Sequence, residues 1–236
     1  LDQRGGITNG SGGGNKRAIE KTIISFQKRE GIVINTSYNG CGILVGQMKA
    51  GSKPDAYFAC DRSFINQVGH LFPNAENISQ TEIVIVVKKG NPLHINSLED
   101  LTKPNIKIGV GHPEQAALGT LTKKLLESKG LYEKIKPNIS AESPSADMIV
   151  SQFKAGSLDA CLVYRVNIQY MKDEVEIKDI SEDMATAIQP FGIANYTKNH
   201  YLLERFLDAV KENNKDFTDA GFKYLGNKNL NINKEK

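Results

Sequence analysis

No stretch of the 236-residue chain approaches the roughly 20 consecutive apolar residues that a membrane-spanning helix needs. An excess of one charge is missing too. With 30 Lys and Arg against 27 Asp and Glu, the net charge is +3, and the basic residues are dispersed. That excludes the basic stripe that nucleic-acid binding requires, while leaving a small anion acceptable as a partner. Cysteine is scarce. Cys41, Cys60 and Cys161 are odd in number and widely spaced, so no disulfide framework is expected and at least one thiol is expected to be free. His70, His94, His112 and His200 are scattered, without a CxxC pair or a partner at helical spacing. They read as surface or packing residues, and neither a metal site nor a cofactor is expected. Nucleotide motifs are also lacking. GSGGGNK, starting at Gly10, fails the phosphate-loop pattern because Asn15 precedes Lys16 and Arg17 follows it, and no proper GxGxxG follows a strand. A kinase, ATPase or dehydrogenase is thereby excluded.

What is present is the composition of an ordinary globular protein, 39% hydrophobic and 24% charged. The length suits one large domain or two lobes of about 100 residues each. After a short run with Gly6 and Ile7, a glycine-rich turn precedes a helix with Ile19, Ile23 and Phe26 on one face, ended by Gly31. IVINTSY alternates like a strand, turns at Gly40-Cys41-Gly42, and leads to a helix over about 43–50. DAYFAC reads as a short buried strand and SFINQVG as the helix after it. IVIVV at 83–87 is apolar at every position, as a strand covered on both faces would be, and ends at the turn KKGNP. IKIGV at 106–110 leads to a helix bearing Leu118, Leu121 and Leu125 and closed by Gly130. A helix from Ser145 to Gly156, a strand LDACLVY at 158–164, and a final helix with Tyr201, Leu202, Phe206, Leu207 and Val210 complete the pattern. The tail at 227–236 is expected to fray. Strands alternating with helices predict the α/β class, parallel sheets flanked by helices.

In open α/β sheets ligands sit beyond the carboxyl ends of strands, where helix N-termini offer unpaired N–H groups. Four loops stand at such places: 9–15 (NGSGGGN), 39–42 (NGCG), 111–119 (GHPEQAALG) and 143–146 (SPSA). Two precede the apolar strand at 83–87 and two follow it, which predicts a pair of helix N-termini from each of two lobes facing one cleft. No nucleophile with a neighbouring base is evident, so an enzyme is not expected; a cysteine-dependent activity through Cys41 would need such a base.

SFQKREGIVINTSYNGCGILVGQMKAGSKPDAYFACD, IVIVVKKGNP, SLEDL, IGVGHPEQAALGTLTKKLLESKGL and FKAGSLDACLVYR follow one another in an order and spacing that resemble the periplasmic molybdate- and tungstate-binding proteins of ABC importers, over nearly the whole chain. The resemblance implies a two-lobed type II periplasmic binding protein, each lobe a mainly parallel sheet flanked by helices. Lobe one would hold 1–81 and 190–236, and lobe two 82–189. Hinge closure would clasp a small anionic ligand for delivery to a membrane permease. The location implied is periplasmic or otherwise extracytoplasmic, and the start at Leu1 without a methionine or hydrophobic leader fits either a removed signal peptide or a trimmed chain. A sensory ligand-binding domain of the same fold is the alternative.

Carried over by position, the family's oxyanion shell falls on Ser11 with Gly10 and Gly12, on Cys41 with Gly40 and Gly42, on backbone N–H groups near Leu118, Ser145 and Ala146, and on the Tyr164 hydroxyl. Cys41 departs from the family's serine. A thiol donates weakly, and at a helix N-terminus its pKa falls, so a partly anionic sulfur would repel a dianion. If exposed, Cys41 would instead select a sulfur-containing or thiol-bearing ligand, held as a mixed disulfide. Cys60 is placed to face the same cleft or to pack as a small hydrophobe, and Cys161 belongs in the core.

Overall fold

The computed structural model describes residues 6–226, so the tail at 227–236 lies outside the described residues. β1 (Gly6–Gly12) passes through a single 3-10 turn at Gly13–Asn15 into α1 (Lys16–Glu30). That helix buries Ala18, Ile19, Thr22, Ile23 and Phe26, the stripe that a 3.6-residue period demands. Gly31 ends it at φ 67°, where its N–H reaches the Gln27 carbonyl. β2 (Val33–Asn39), α2 (Cys41–Lys49), β3 (Ala56–Phe58) and α3 (Arg62–Asn66) follow. β1 lies between β2 and β3, parallel to both.

The apolar run expected as a central strand is the second half of a longer one, β4 (Glu76–Lys88). Beyond it come β5 (Ile108–Gly111), α4 (Ala117–Ser128), α5 (Tyr132–Ile135), β6 (Ile139–Ser143), α6 (Ala146–Lys154), β7 (Ala160–Tyr164), α7 (Arg165–Ile168) and β8 (Val175–Asp179). β9 (Thr186–Ile193), α8 (His200–Glu212), α9 (Asn214–Asp219) and β10 (Lys223–Tyr224) return the chain to its starting side. The α/β class expected from the sequence is the class observed.

The sheet runs β2-β1-β3-β9-β4-β7-β5-β6, with β8 and β10 paired to β4 off this path. Parallel ladders make up its two outer parts, β2-β1-β3 and β7-β5-β6. β4 joins them, antiparallel to every neighbour, and it changes partners midway. Up to Glu82 it pairs with β9 and β10; from Ile83 it pairs with β7 and β8. Ile83–Val87 are all buried, as a strand covered on both faces requires.

Two departures from the sequence reading have local causes. TAIQPFGI escaped notice as a strand because Pro190 lacks an N–H. In β9 that residue stands opposite Asn77 at a bulge where the ladder skips Ile78, and its carbonyl accepts from the Ala59 N–H. Tyr201, named with Leu202, Phe206, Leu207 and Val210 along the last long helix, is 83% exposed. α8 starts at His200, which puts Tyr201 on the solvent side of the first turn and hands the stripe to Leu203, Phe206, Leu207 and Val210. Phe206 closes the core on that side, edge-on to Phe26 at 5.2 Å and 5.9 Å from Phe191.

Candidate ligand cavity

The segments just beyond β1, β2, β3, β6 and β7 all contribute to one cavity of about 290 Å³. The starts of four helices line it: Gly13–Lys16 at α1, Asn39–Cys41 at α2, Ala116–Leu118 at α4 and Pro144–Asp147 at α6. Each leaves N–H groups of its first turn unpaired within the helix, and each carries partial positive charge. All four loops singled out in the sequence contribute residues.

Of the expected site residues, Gly40, Cys41, Leu118, Ser145, Ala146 and Tyr164 line the cavity. Gly10, Ser11 and Gly12 do not. β1 runs through Gly12, so the turn into α1 comes later than expected and Gly13, Gly14 and Asn15 face the space instead. Ser11 is fully buried, with its hydroxyl 3.4 Å from the Gly12 carbonyl. Asn15 donates through Nδ2 to the carbonyls of Phe58 and Ala59, tying the start of α1 to the end of β3. Gly42 lies just outside the lining, and its N–H donates to the Gln115 carbonyl at 3.2 Å, joining α2 to the loop before α4.

The free thiol expected at position 41 is corrected by the structure: Cys41 and Cys60 form a disulfide. Its cause is the strand order. Asn39 and Phe58 end β2 and β3 on either side of β1, opposite Gly12 and Ser11, so the two residues after each strand can meet above β1. Gly12 leaves them room; a Cβ there would overlap Cys60 Sγ and come within 3.1 Å of Cys41 Sγ. Both cysteines line the cavity, and the Cys60 N–H donates to Cys41 Sγ at 3.0 Å. The Cys41 side chain therefore offers neither a donor nor a thiolate, and capture of a thiol ligand would first require the bridge to open. Cys161 is the free cysteine, fully buried in β7, where burial raises its pKa.

Tyr164 is 6% exposed and its Oη has no protein partner. Burial, reinforced by the charge of Asp61, holds its pKa well above the ordinary tyrosine value, so the hydroxyl stays a donor. Three further residues were missed in the sequence. Thr81 of β4 is 5% exposed with an unpartnered Oγ1. Asn167, one turn after Tyr164 on α7, leaves Oδ1 unpartnered. Gln189 of β9 is held by Ser79, Cys60 and Ala187. Only Asn167 had a legible signal, its i, i+3 spacing from the tyrosine. Charged groups are confined to Lys16 and Asp147 among the lining residues. Among the described residues no cluster of His, Cys, Asp or Glu could hold a metal, and no helix is long and apolar enough to cross a membrane.

The model of a family described as bacterial extracellular solute-binding protein matches residues 7–223. A Haemophilus influenzae protein named as a binding protein is 23% identical over 219 residues, covering 90% of this chain and 88% of its own length. The molybdate-binding protein ModA of Mycobacterium bovis is 28% identical over 137 residues, which is 57% of this chain and 51% of that protein. The solved structure of the sulfate-binding protein SubI from Mycobacterium tuberculosis H37Rv aligns with a TM-score of 0.79 at 15% identity, covering 93% of this chain and 87% of SubI. The shared fold is that of type II periplasmic binding proteins.

Proposed function

The chain belongs to the bacterial extracellular solute-binding protein family, and from that premise we propose that it captures a small anionic ligand outside the cytoplasm and delivers it to the permease of an ABC-type importer, without transforming it. The observation that carries this reading is the convergence of four helix N-termini on a cavity that also holds an unpartnered tyrosine hydroxyl. In a partly buried site each N-terminus stabilises an anion by about 1–2 kcal/mol. A hydrogen bond from Tyr164 to a charged oxygen adds roughly 1.5–3 kcal/mol. Together these are of the size of a micromolar binding free energy, about 8 kcal/mol, before ordering costs.

In this reading residues 1–81 and 190–236 form one lobe and residues 82–189 the other. The change of partners along β4 between Glu82 and Ile83 supports the first bound, whereas β9 pairs with the lobe-one half of β4 from Thr186 onward, which favours a return crossing at the start of that strand rather than at 190. The ligand would be enclosed when the lobes close on hinges in β4 and near the start of β9. Contacts across the cavity support a closed form: Gly42 to Gln115, and Arg17 of α1 over the Tyr170 ring at 4.6 Å.

Native mass spectrometry of freshly purified protein, with calorimetric titration of molybdate, tungstate, sulfate and phosphate, tests the proposal. A co-purified anion, or saturable heat with one of these at micromolar concentration, is the expected result. Absence of any bound anion together with flat titrations for all four and for alkylphosphonates would refute it.

A further inference from the structure

Resting on the anion-receptor reading, we propose that the ligand is an organic oxyanion whose substituent carries a hydrogen-bond donor, rather than a bare tetrahedral oxyanion. Three observations converge on it.

The first is size. A tetrahedral oxyanion has five heavy atoms and displaces roughly two or three waters, about 60–90 Å³ at ~30 Å³ each. The cavity holds about 290 Å³, so more than half would be left over.

The second is the character of the walls. A dianion is best surrounded by donors on every side. Here the disulfide of Cys41 and Cys60, Leu118, Val166 and Phe222 present apolar surface instead. Sulfur in a disulfide donates nothing, and it suits a hydrocarbon substituent.

The third is a buried acceptor with nothing to accept. Asn167 is 5% exposed and lines the cavity, and its Oδ1 has no partner. The amide cannot simply be turned round. Its Nδ2 points at Asp147 Oδ1, 3.4 Å away, and a carboxylate only accepts, so the NH2 must face it. Molybdate or sulfate, fully deprotonated, would leave Asn167 Oδ1 buried and unpaired. A ligand with a hydroxyl or ammonium group on its substituent would satisfy it, and an ammonium could also pair with Asp147 at the cavity edge. The donors for the anionic head are then the helix N-termini and the Tyr164 hydroxyl, while Asn167 reads the substituent.

The test is calorimetry on the full chain with five probes: molybdate, inorganic phosphate, ethylphosphonate, hydroxyethylphosphonate and aminoethylphosphonate. The donor-bearing phosphonates are expected to bind about ten-fold tighter than ethylphosphonate, and ethylphosphonate tighter than phosphate. If the amine exceeds the alcohol, Asp147 takes part; if the alcohol matches it, Asn167 suffices. Asn167→Leu is expected to erase the preference for donor-bearing probes, bringing their affinity down to that of ethylphosphonate measured on the same variant. Should that variant fail to fold, the wild-type series alone decides. Molybdate or phosphate binding as tightly as the donor-bearing probes would overturn this inference and leave the receptor reading intact. No binding of any of the five would overturn both.

Discussion

Gly42 offers a substitution whose effects on stability and on binding have opposite signs. It is the second residue of α2, a helical position where alanine is preferred to glycine by about 0.8–1 kcal/mol. On helix propensity alone, Gly42→Ala stabilises the fold. In the structure, though, a Cβ at residue 42 would overlap the Glu114 carbonyl oxygen and lie 3.0 Å from Gln115 Cα and C. Carbon contacts settle near 3.5–4.0 Å, so the loop before α4 must retreat by about 1 Å. The Gly42 N–H bond to Gln115, worth about 1 kcal/mol net, goes with it. Overpacking of this kind costs about 1–3 kcal/mol. The closed form is therefore disfavoured by roughly 2–4 kcal/mol, which lowers ligand affinity about 30- to 1,000-fold if closure is needed to bind. Gly46 supplies the control. It lies one turn on in the same helix with nothing within 4 Å of its notional Cβ, so Gly46→Ala gains the propensity term without touching the opposite loop. The assays are thermal melts for stability, calorimetry with the tightest-binding oxyanion of the panel above, and small-angle scattering for compactness with and without it. Gly42→Ala is expected to melt no lower than wild type, to bind far more weakly, and to stay expanded in saturating anion, while Gly46→Ala binds normally. Wild-type affinity in Gly42→Ala would refute the idea that α2 and the loop before α4 must meet for binding.

Tyr164→Phe removes a buried hydroxyl that has no protein partner, so the ligand-free fold should be unchanged or more stable by up to about 1–3 kcal/mol, while oxyanion affinity falls about 10- to 150-fold; melts and calorimetry on one preparation check both signs. Replacing both Cys41 and Cys60 by Ser opens a loop closed across a sequence separation of 19, which lowers stability by about 3 kcal/mol in denaturant titrations. The same double variant places hydroxyl donors where the sulfurs stood, so molybdate binding should strengthen about ten-fold, and a folded double variant with weaker molybdate binding would count against that. Tyr38 has its pKa pushed up to about 12, by burial first and then by Glu20. Burial also raises Tyr57 and Tyr164 above the ordinary tyrosine value. An unfolded tyrosine loses its proton near pH 10 while these keep theirs. Their share of stability is thus intact below pH 10 and declines as pH rises toward about 12. Denaturant melts across that window should weaken steadily, and phenolate absorbance of the native protein should show a late-titrating class.

Much of the architecture could be read from local patterning. The apolar stripe of α1 and its glycine stop, the continuous apolar run in β4, and the glycine- or serine-bearing loops before helices are short-range features, because helix periodicity, turn conformation and capping depend on residues within about four positions. Those same loops located the cavity, since strand ends and helix starts are adjacent in sequence as well as in space. Where a strand broke the local rules, as at Pro190, the sequence misled: the compensating bulge at Ile78 lies on another strand and has no trace in the segment itself.

The chain by itself determined the α/β alternation, the helix N-termini and the tyrosine at the end of β7. Only the tertiary structure decided how the cysteines pair and which side chains share the cavity with those termini. Cys41 and Cys60 meet because β1 lies between β2 and β3, and nothing in either cysteine's neighbourhood encodes that order. Thr81, Asn167 and Gln189 are joined by the antiparallel crossing of β4 with β7 and β9. The significance of Thr81 and Asn167 rests on which polar atoms remain without partners, a property of the assembled sheet that no window of sequence contains.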